Sequence, residues 1–177
     1  MSIEPDEKDW TWVIERSCDE CGFDASVIDV AAVPRMLCDI SESFAQFLSG
    51  GRHLARRPAP DTWSALEYGC HVRDCMRIFD ERLQLMLTRN DPMFPNWDQD
   101  DAAVQGRYGE QDSSIVAGEL LSAATDLANR FSAVSGPQWE RTGRRSNGSL
   151  FTTDTLARYF IHDPVHHWWD VTGERAC

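Results

Sequence analysis

Apolar residues recur every three or four positions along four stretches of the chain, which is the spacing of helices that bury one face. The first stretch runs from about Asp29 to Ser49. Gly50 and Gly51 end it, because glycine is a poor helix former. Pro34 either lies in the first turn, where its missing N–H costs little, or marks the true start of the helix.

A capping motif introduces the second predicted helix. In Ser64-Ala-Leu-Glu67 the hydroxyl and the carboxylate each satisfy a backbone N–H that the first helical turn leaves free. Apolar positions then continue at helical spacing to Thr88. Residues 89–112 follow as a loop rich in proline, glycine and aspartate. Loops of this length inside compact domains are usually functional, so we expect this one to cover a pocket.

Two further helices are predicted in the second half of the chain. One covers about 115–134 and stops at the Gly-Pro pair 136–137. The other is capped by Thr152 or Thr153 and closed by Gly173. No stretch alternates convincingly between apolar and polar residues as a half-buried strand would. The sequence therefore predicts an all-α fold, a four-helix bundle of the up-down type.

Chain length favours one domain. The 177 residues suffice for a single well-buried core and are few for two. We assign residues 1–177 to one helical domain. Within it, residues 1–25 form an N-terminal arm whose aromatic side chains Trp10, Trp12 and Phe23 can pack on the bundle.

Charge narrows the class of partner. Lys and Arg number 17 against 29 Asp and Glu, a formal net charge of -12. Nucleic acids and anionic membrane surfaces are bound through basic side chains, so both are disfavoured. No apolar run approaches the roughly 20 residues that span a bilayer, and the acidic N-terminus is unlike a signal peptide. We expect a cytoplasmic protein whose cysteines are reduced. We expect its substrate to be a small molecule. A homodimer through a bundle face is compatible with the sequence.

Two histidines in the last predicted helix have the spacing of a ligand pair. His162 and His166 are four residues apart, so their imidazoles project from one helix face. His71, in the first turns of the second helix, can complete the set and leave a coordination position open, as in catalytic zinc sites. His167 points off this face and is left out. The alternative is buried histidines without metal; we favour metal because two adjacent unpaired imidazoles are costly in a core.

Carboxylates at helical spacing from these histidines are candidates to orient them. Glu67 and Asp74 flank His71 by four and three residues, and Asp170 follows His166 by four. Such groups accept the far N–H of a ligating imidazole and fix its tautomer. Helix caps and surface salt bridges explain each carboxylate equally well.

Pro164 lies between the two histidines of the pair. Proline removes a backbone donor, frees the carbonyl of Phe160 and should kink the helix. The shared face of His162 and His166 survives only if that kink is modest.

Two loop segments offer contacts to a substrate. Trp97 and Asp98 lie in the long loop, and Arg144 and Arg145 belong to the turn-rich segment before the last helix. The loop residues can line a pocket, and the arginines can bind an anionic substrate group through their planar donors. Pairing of the arginines with acidic neighbours is the slightly favoured alternative in this acidic chain.

Cys18 and Cys21 form a lone Cys-x-x-Cys motif in the arm. A zinc knuckle needs a second pair of ligands, and a redox motif needs a strand and a helix around it; neither is evident. We therefore interpret the motif as a turn that contains two thiols.

Together these residues resemble the DinB/YfiT-like superfamily of small bundle proteins. The resemblance covers most of the chain from about residue 26 and implies a divalent metal held by His71, His162 and His166. The Cys-x-x-Cys arm is not part of the general pattern. The matching segments are Trp63-Ser-Ala-Leu-Glu67-Tyr-Gly-Cys-His71, Pro95-Asn-Trp97-Asp98-Gln-Asp, Trp139-Glu-Arg-Thr-Gly143 and Tyr159 to Val171.

The activity that this resemblance implies is broad. The superfamily includes metal-dependent S-transferases that use mycothiol or bacillithiol, a maleylpyruvate isomerase and members regarded as hydrolases. We predict a metal-dependent transferase that joins a low-molecular-weight thiol to a small electrophile. A metal-dependent hydrolase and a non-catalytic metal- or ligand-binding stress-response module are the alternatives. Zinc is the expected ion, with nickel, iron and manganese as alternatives.

Overall fold

A computed structural model describes residues 10–175 of the chain. The first nine residues of the predicted arm, and Cys177, lie outside the described residues. The described part forms five α-helices and a small three-stranded sheet. Their bounds are α1 Val33–Gly50, α2 Ala65–Thr88, β1 Met93–Phe94, α3 Gln99–Gln105, α4 Ser113–Ser132, β2 Thr142–Arg145, β3 Leu150–Thr152 and α5 Thr153–Thr172.

The start of α1 decides between the two interpretations of Pro34. The helix begins at Val33, so Pro34 marks the true start and does not lie within a helix that begins at Asp29. A short 3-10 helix, Val30–Ala32, precedes it in place of the α-helical turn predicted from Asp29. Proline suits this position because the first backbone N–H groups of a helix have no partner within it.

The predicted caps of α2 and α5 are present. The Ser64 hydroxyl accepts from the backbone N–H of Glu67, and the Glu67 carboxylate accepts from the backbone N–H of Ser64. Thr152 caps α5. Gly173 ends the helix at φ 73°, a left-handed conformation that glycine adopts without a steric penalty from Cβ. Local sequence therefore determines both ends of the helix that carries the histidine pair.

The order of the helices around the bundle differs from that of a simple up-down bundle. Helix α4 packs against both α1 and α2, and α5 packs against the same two helices, whereas α1 and α2 touch each other at few positions. Helices α1 and α2 are therefore diagonal partners although they are consecutive in sequence. Residues 51–64 connect them, and a segment of that length easily spans more than the roughly 8–10 Å between adjacent helix axes.

All four long helices contribute fully buried side chains to one core. Phe44 of α1, Met76 of α2, Phe131 of α4 and Phe160 of α5 are all within it. The aromatic rings of Phe131 and Phe160 are 6.3 Å apart between centroids. Among residues 10–175, no helix has the length and apolar character needed to cross a membrane.

The small sheet is an addition to the predicted all-helical fold. Strand β2 pairs in parallel with β1 and antiparallel with β3. Strands of two to four residues are too short to show an apolar–polar alternation in sequence, which is why they were not predicted. The sheet joins the loop after α2 to the segment before α5, and Phe94 and Phe151 are buried in it. It thereby holds the segments that contain Trp97 and Arg145 beside α5.

Candidate metal and substrate site

A cavity of ≈ 810 Å³ lies between α2, α5, the arm and the loop after α2. Four of the five histidines of the chain line it, namely His71, His162, His166 and His167. His53 lies elsewhere, in the connection between α1 and α2. The cavity therefore collects the imidazoles that the sequence singled out, and adds His167 to them.

The histidine pair shares one face of α5 as predicted. Helix α5 continues through Pro164 to its end, and the rings of His162 and His166 are 5.1 Å apart between centroids. Both side chains are buried. Pro164 therefore does not separate the two imidazoles.

Two thiols from the arm lie against this pair. The Sγ atom of Cys18 is 3.7 Å from Nδ1 of His166, and the Sγ atom of Cys21 is 3.7 Å from Nε2 of His162. One donor atom of each of the four residues lies within 4.8 Å of the other three. All four residues are at most 6% exposed. The Cys-x-x-Cys motif does lie in a turn, but the turn faces the histidine pair.

The arm is positioned by contacts with α5 and by its own tight turn. The backbone N–H of Gly22 donates to the carbonyl of Cys18 at 2.8 Å, and Gly22 has φ 79°, which favours glycine. Trp10 covers both imidazoles, with ring centroids 5.6 Å from His162 and 5.1 Å from His166. Arg158 of α5 donates to three backbone carbonyls at the end of the arm and just after it, those of Ala25, Ser26 and Ile28.

Burial sets the protonation of these groups. Removal from water, helped by the neighbouring His166, lowers the pKa of His162 to about 4, and burial lowers the pKa of His166 as well. Both imidazoles are therefore neutral at pH 7, which is the form that binds a metal. Burial also raises the pKa of Cys21 to about 11, so that a nearby cation is needed to make its thiolate near neutral pH.

His71 faces a carboxylate from α5. Its Nε2 atom is 3.4 Å from Oδ2 of Asp163, and its ring stacks on Trp97 with centroids 5.3 Å apart. His71 Nδ1 and Asp163 Oδ1 are buried and have no hydrogen-bond partner among residues 10–175. A buried polar atom without a partner is costly, so this pair indicates a position for a ligand. Burial alone would raise the pKa of Asp163, but His71 and His167 hold it well below its usual range.

The predicted ligand set is divided between two groups of donors. His162 and His166 belong with Cys18 and Cys21, whereas His71 belongs with Asp163 and Cys75. A common ion on His71, His162 and His166 stays a prediction. Asp163 was not among the predicted site residues, although its position next to His162 places it on the neighbouring side of α5, toward α2.

His167 links the two groups. Its Nδ1 atom is 2.8 Å from Oδ2 of Asp170, its Nε2 atom is 3.7 Å from Asp163, and its ring centroid is 4.7 Å from that of His71. Asp163 precedes His167 by four residues and Asp170 follows it by three, so their helical spacing could have predicted these contacts. Asp170 also lies 3.8 Å from Nε2 of His166, so the predicted partner is near that ring but bonds to His167.

The two other predicted orienting carboxylates have different partners. Glu67 accepts from Arg57 in addition to its role in the capping box. Asp74 accepts from Arg73 and from the hydroxyl of Tyr108, at 2.8 Å and 2.6 Å. These contacts match the alternative of caps and salt bridges. A role for either carboxylate in orienting His71 stays a prediction.

Asp74 gives a pH-dependent prediction for stability. Burial by itself raises its pKa, but hydrogen bonds from Arg73 and Tyr108 outweigh burial and leave the pKa below its ordinary value. The stabilisation is therefore fully present above the unfolded-state pKa of about 3.9 and is lost as the pH falls through the lower folded-state value. We expect Asp74→Asn to lower the free energy of unfolding by about 2 kcal/mol at pH 7. The difference from the unsubstituted protein should shrink below about pH 4.

Urea unfolding at pH 7, 5 and 3 measures this difference. Asp126→Asn, at an exposed position of α4, is the matched control and should change stability by less than about 0.5 kcal/mol. A difference between Asp74→Asn and the unsubstituted protein that is constant from pH 7 to pH 3 would contradict the prediction.

One end of the cavity is cationic. Arg82 is buried against the rings of Phe79 and Phe94, and Arg145 donates to Asn96 at 2.6 Å. Among residues 10–175, no carboxylate lies within salt-bridge distance of either guanidinium, and Nε of Arg145 is buried without a partner. These donors are suited to an anionic group. Arg82 was not predicted, because a basic residue in a helix interior carries no signal of its own.

The predicted substrate residues are placed differently from one another. Arg145, Trp97 and Asp98 line the cavity. Arg144 instead pairs with Asp91 at 2.7 Å on the outside of the sheet. Asp98 also caps α3 by accepting from two backbone N–H groups. A direct role for any of these residues in substrate binding stays a prediction.

Comparison with known proteins finds a family for this helical bundle. The family model of the DinB superfamily matches residues 48–171, well over half of the chain. The chain belongs to the DinB superfamily. The resemblance predicted from the sequence is thereby confirmed. The match includes both helices that carry histidines and begins after Cys18 and Cys21.

A solved structure supports the same fold. The protein resembles YfiT from Bacillus subtilis, described as a probable metal-dependent hydrolase with an unusual four-helix bundle topology. The TM-score is 0.73 at 15% sequence identity, covering 97% of this chain and 91% of the other. The predicted four-helix bundle of DinB/YfiT type is therefore confirmed. A comparison with curated proteins finds no significant match.

Proposed function

We propose that the protein is a divalent-metal-dependent enzyme that transfers a small electrophilic group to a low-molecular-weight thiol in the cavity. One observation carries the proposal: a buried imidazole pair and a carboxylate-held imidazole line the same cavity. The pair is His162 and His166, and the third imidazole is His71, next to Asp163. Two neutral imidazoles are suitable ligands for zinc, nickel, iron or manganese, and zinc is the ion we propose.

The description of YfiT as a probable metal-dependent hydrolase and the donors present here support a divalent metal. His162 and His166 are the residues that we assign to the ion. When bound, a divalent cation lowers the pKa of a thiol or a water at the site, so that a nucleophile forms near neutral pH.

We assign proton transfer to His71. Its contact with Asp163 fixes one ring nitrogen, and the other nitrogen accepts the proton that the thiol loses. Asp163 stabilises the imidazolium that results, as a carboxylate does in other acid–base dyads. The thiol sulfur forms a bond to the electrophilic carbon while the bond from that carbon to the leaving group breaks, and the leaving group takes that electron pair.

We assign orientation of the substrate to the cationic end of the cavity. Within the described residues 10–175 no carboxylate pairs with Arg82 or Arg145, so their donors can hold an anionic group of the electrophile. Trp97 stacks over His71 and limits access of water to the reacting atoms. The proposed electrophile is therefore a small anion with a displaceable group.

Conjugation assays test this proposal. An anionic aryl chloride is offered with a panel of low-molecular-weight thiols, and thioether formation is measured with zinc-loaded and chelator-treated protein. We expect thiol-dependent conjugation that chelation abolishes and added zinc restores. Arg82→Met should raise KM for the anionic electrophile more than for a neutral analogue. Absence of conjugation with every thiol, or an equal rate after chelation, would overturn the proposal.

A hydrolase is the second candidate, favoured by the description of YfiT as a probable metal-dependent hydrolase. The dyad of His71 and Asp163 can take a proton from water as well as from a thiol. Ester and amide substrates without added thiol distinguish the two reactions, because only hydrolysis proceeds without a thiol.

We also propose a cytoplasmic location, which keeps a thiol co-substrate reduced. Fractionation of cells that express the untagged protein tests it: recovery in the cytosolic fraction is expected, and recovery with membranes would contradict it.

A further inference from the structure

We propose that Cys18, Cys21, His162 and His166 together bind one zinc ion. In this four-ligand site the two thiols of the arm complete the coordination begun by the histidine pair of α5. The inference rests on the proposed function only in that both use His162 and His166. It goes beyond that function because the two thiols lie in the arm, before the part of the chain that the superfamily model matches.

The distances fit a single tetrahedral ion. With bonds of about 2.3 Å to sulfur and about 2.1 Å to nitrogen, a sulfur and a nitrogen on the same zinc are about 3.6 Å apart. Both Sγ-to-nitrogen distances in the structure are 3.7 Å. Two of the six separations among the donor atoms therefore already match those of a shared ion, and the others are at most 4.8 Å.

The spacing of the ligands is that of a Cys₂His₂ zinc site. Cys18 and Cys21 are separated by two residues, and His162 and His166 by three, both within the ranges seen in structural zinc sites. A lone Cys-x-x-Cys lacks a second pair of ligands, and α5 supplies that pair. His162 lies beside Cys21 although it follows it by 141 residues in sequence. Two thiolates with two imidazoles favour zinc over magnesium or calcium.

The surroundings of His166 complete the site. Its Nδ1 atom faces Cys18, and its Nε2 atom lies 3.5 Å from a carboxylate oxygen of Glu20 and 3.8 Å from one of Asp170. Carboxylates on the far nitrogen of a ligating imidazole fix its tautomer and increase its basicity. Glu20 lies between the two cysteines in sequence, so the arm brings both thiols and this carboxylate.

Burial argues that the four groups need a common ligand. Thiols and imidazoles removed from water gain little from contacts of 3.7 Å with one another, since these are weak hydrogen bonds. A zinc ion satisfies all four and joins the arm to α5. In this state every tetrahedral position is occupied, and the substrate thiol of the proposed reaction would bind as a fifth ligand, an expansion that zinc allows in catalytic sites.

Spectroscopy of the full-length, untagged protein tests the inference. X-ray absorption of the zinc-loaded protein should show two sulfur and two nitrogen ligands, and cobalt substitution should give thiolate-to-cobalt charge-transfer absorption. Cys18→Ser and Cys21→Ser should each lower zinc affinity at least about tenfold, since even losing a partner of a ligand has that effect. Cys38→Ser, at a cysteine on α1 outside this group, is the matched control and should leave affinity and spectrum unchanged.

X-ray absorption of the unsubstituted protein tests the inference even if a cysteine variant fails to fold. A coordination shell of nitrogen and oxygen only, or a disulfide between Cys18 and Cys21 in the zinc-loaded protein, would overturn the inference. So would an unchanged cobalt spectrum in a variant that carries both Cys18→Ser and Cys21→Ser. Sulfur-ligated zinc without thiol conjugation would overturn the proposed function alone. Chelator-sensitive conjugation with a shell free of sulfur would overturn this inference alone.

Discussion

Replacing His162 with alanine is expected to lower zinc affinity at least about a hundredfold, whereas His71→Ala should retain the zinc and lose thiol conjugation. His162 is a ligand both in the four-residue site and in the three-histidine set predicted from the sequence. Losing a partner of a ligand already costs roughly ten- to a hundredfold in affinity, so losing a ligand costs more. His71 contacts Asp163 and is grouped apart from the two thiols. Removing a general base slows such reactions by about 10²–10⁴-fold.

Zinc titration monitored by a competing chromophoric chelator, together with the conjugation assay, measures both effects. His53→Asn is the control, because His53 is exposed at φ 57°, a conformation that asparagine tolerates. Zinc affinity lost equally in His71→Ala and His162→Ala would show that the three-histidine set binds the metal. Unchanged zinc affinity in His162→Ala would remove the histidine pair from the site.

Phe160→Ala should produce the largest loss of stability, about 3–5 kcal/mol in the free energy of unfolding. Phe160 has no exposed surface, and its ring lies 4.9 Å from that of Phe79 and 6.3 Å from that of Phe131 between centroids. Alanine would leave a cavity where α2, α4 and α5 meet, and rigid helices collapse only partly into such a space. The expected loss is a large fraction of the typical stability of a domain of this size.

Urea unfolding followed by circular dichroism measures this loss, with zinc held at a fixed concentration because ligand binding stabilises the folded state. Ile115→Ala, at a position that is 61% exposed on α4, is the matched control and should change stability by less than about 0.5 kcal/mol. A loss below about 1 kcal/mol for Phe160→Ala would mean that the core repacks around the missing ring.

Local sequence predicted the four long helices because their signals act within a few residues, whereas α3, Gln99–Gln105, lies in a segment that was wrongly predicted to be all loop. The box formed by Ser64 and Glu67, and the glycine at position 173, satisfy backbone groups of the same helix turn. The spacing of His162 and His166 likewise determines that they share a face. Short strands such as β1 carry no comparable periodicity, and they appear only because β2 is available to pair with them.

The diagonal placement of α1 and α2 lies beyond these local signals. An amphipathic pattern indicates that a helix buries one face, but many neighbours can cover that face equally well. The order around the bundle is decided by packing of all four helices and by the connection of residues 51–64.

The site shows the same division. The sequence by itself determined a helical bundle of the DinB superfamily and a histidine pair on one face of its last helix. What lies opposite that face was decided only by the tertiary structure, which brings Cys18 and Cys21 to the pair and Asp163 to His71. The physical reason is distance along the chain: spacing within a helix sets which side chains share a face, whereas contacts across 92 to 148 residues depend on how whole elements pack.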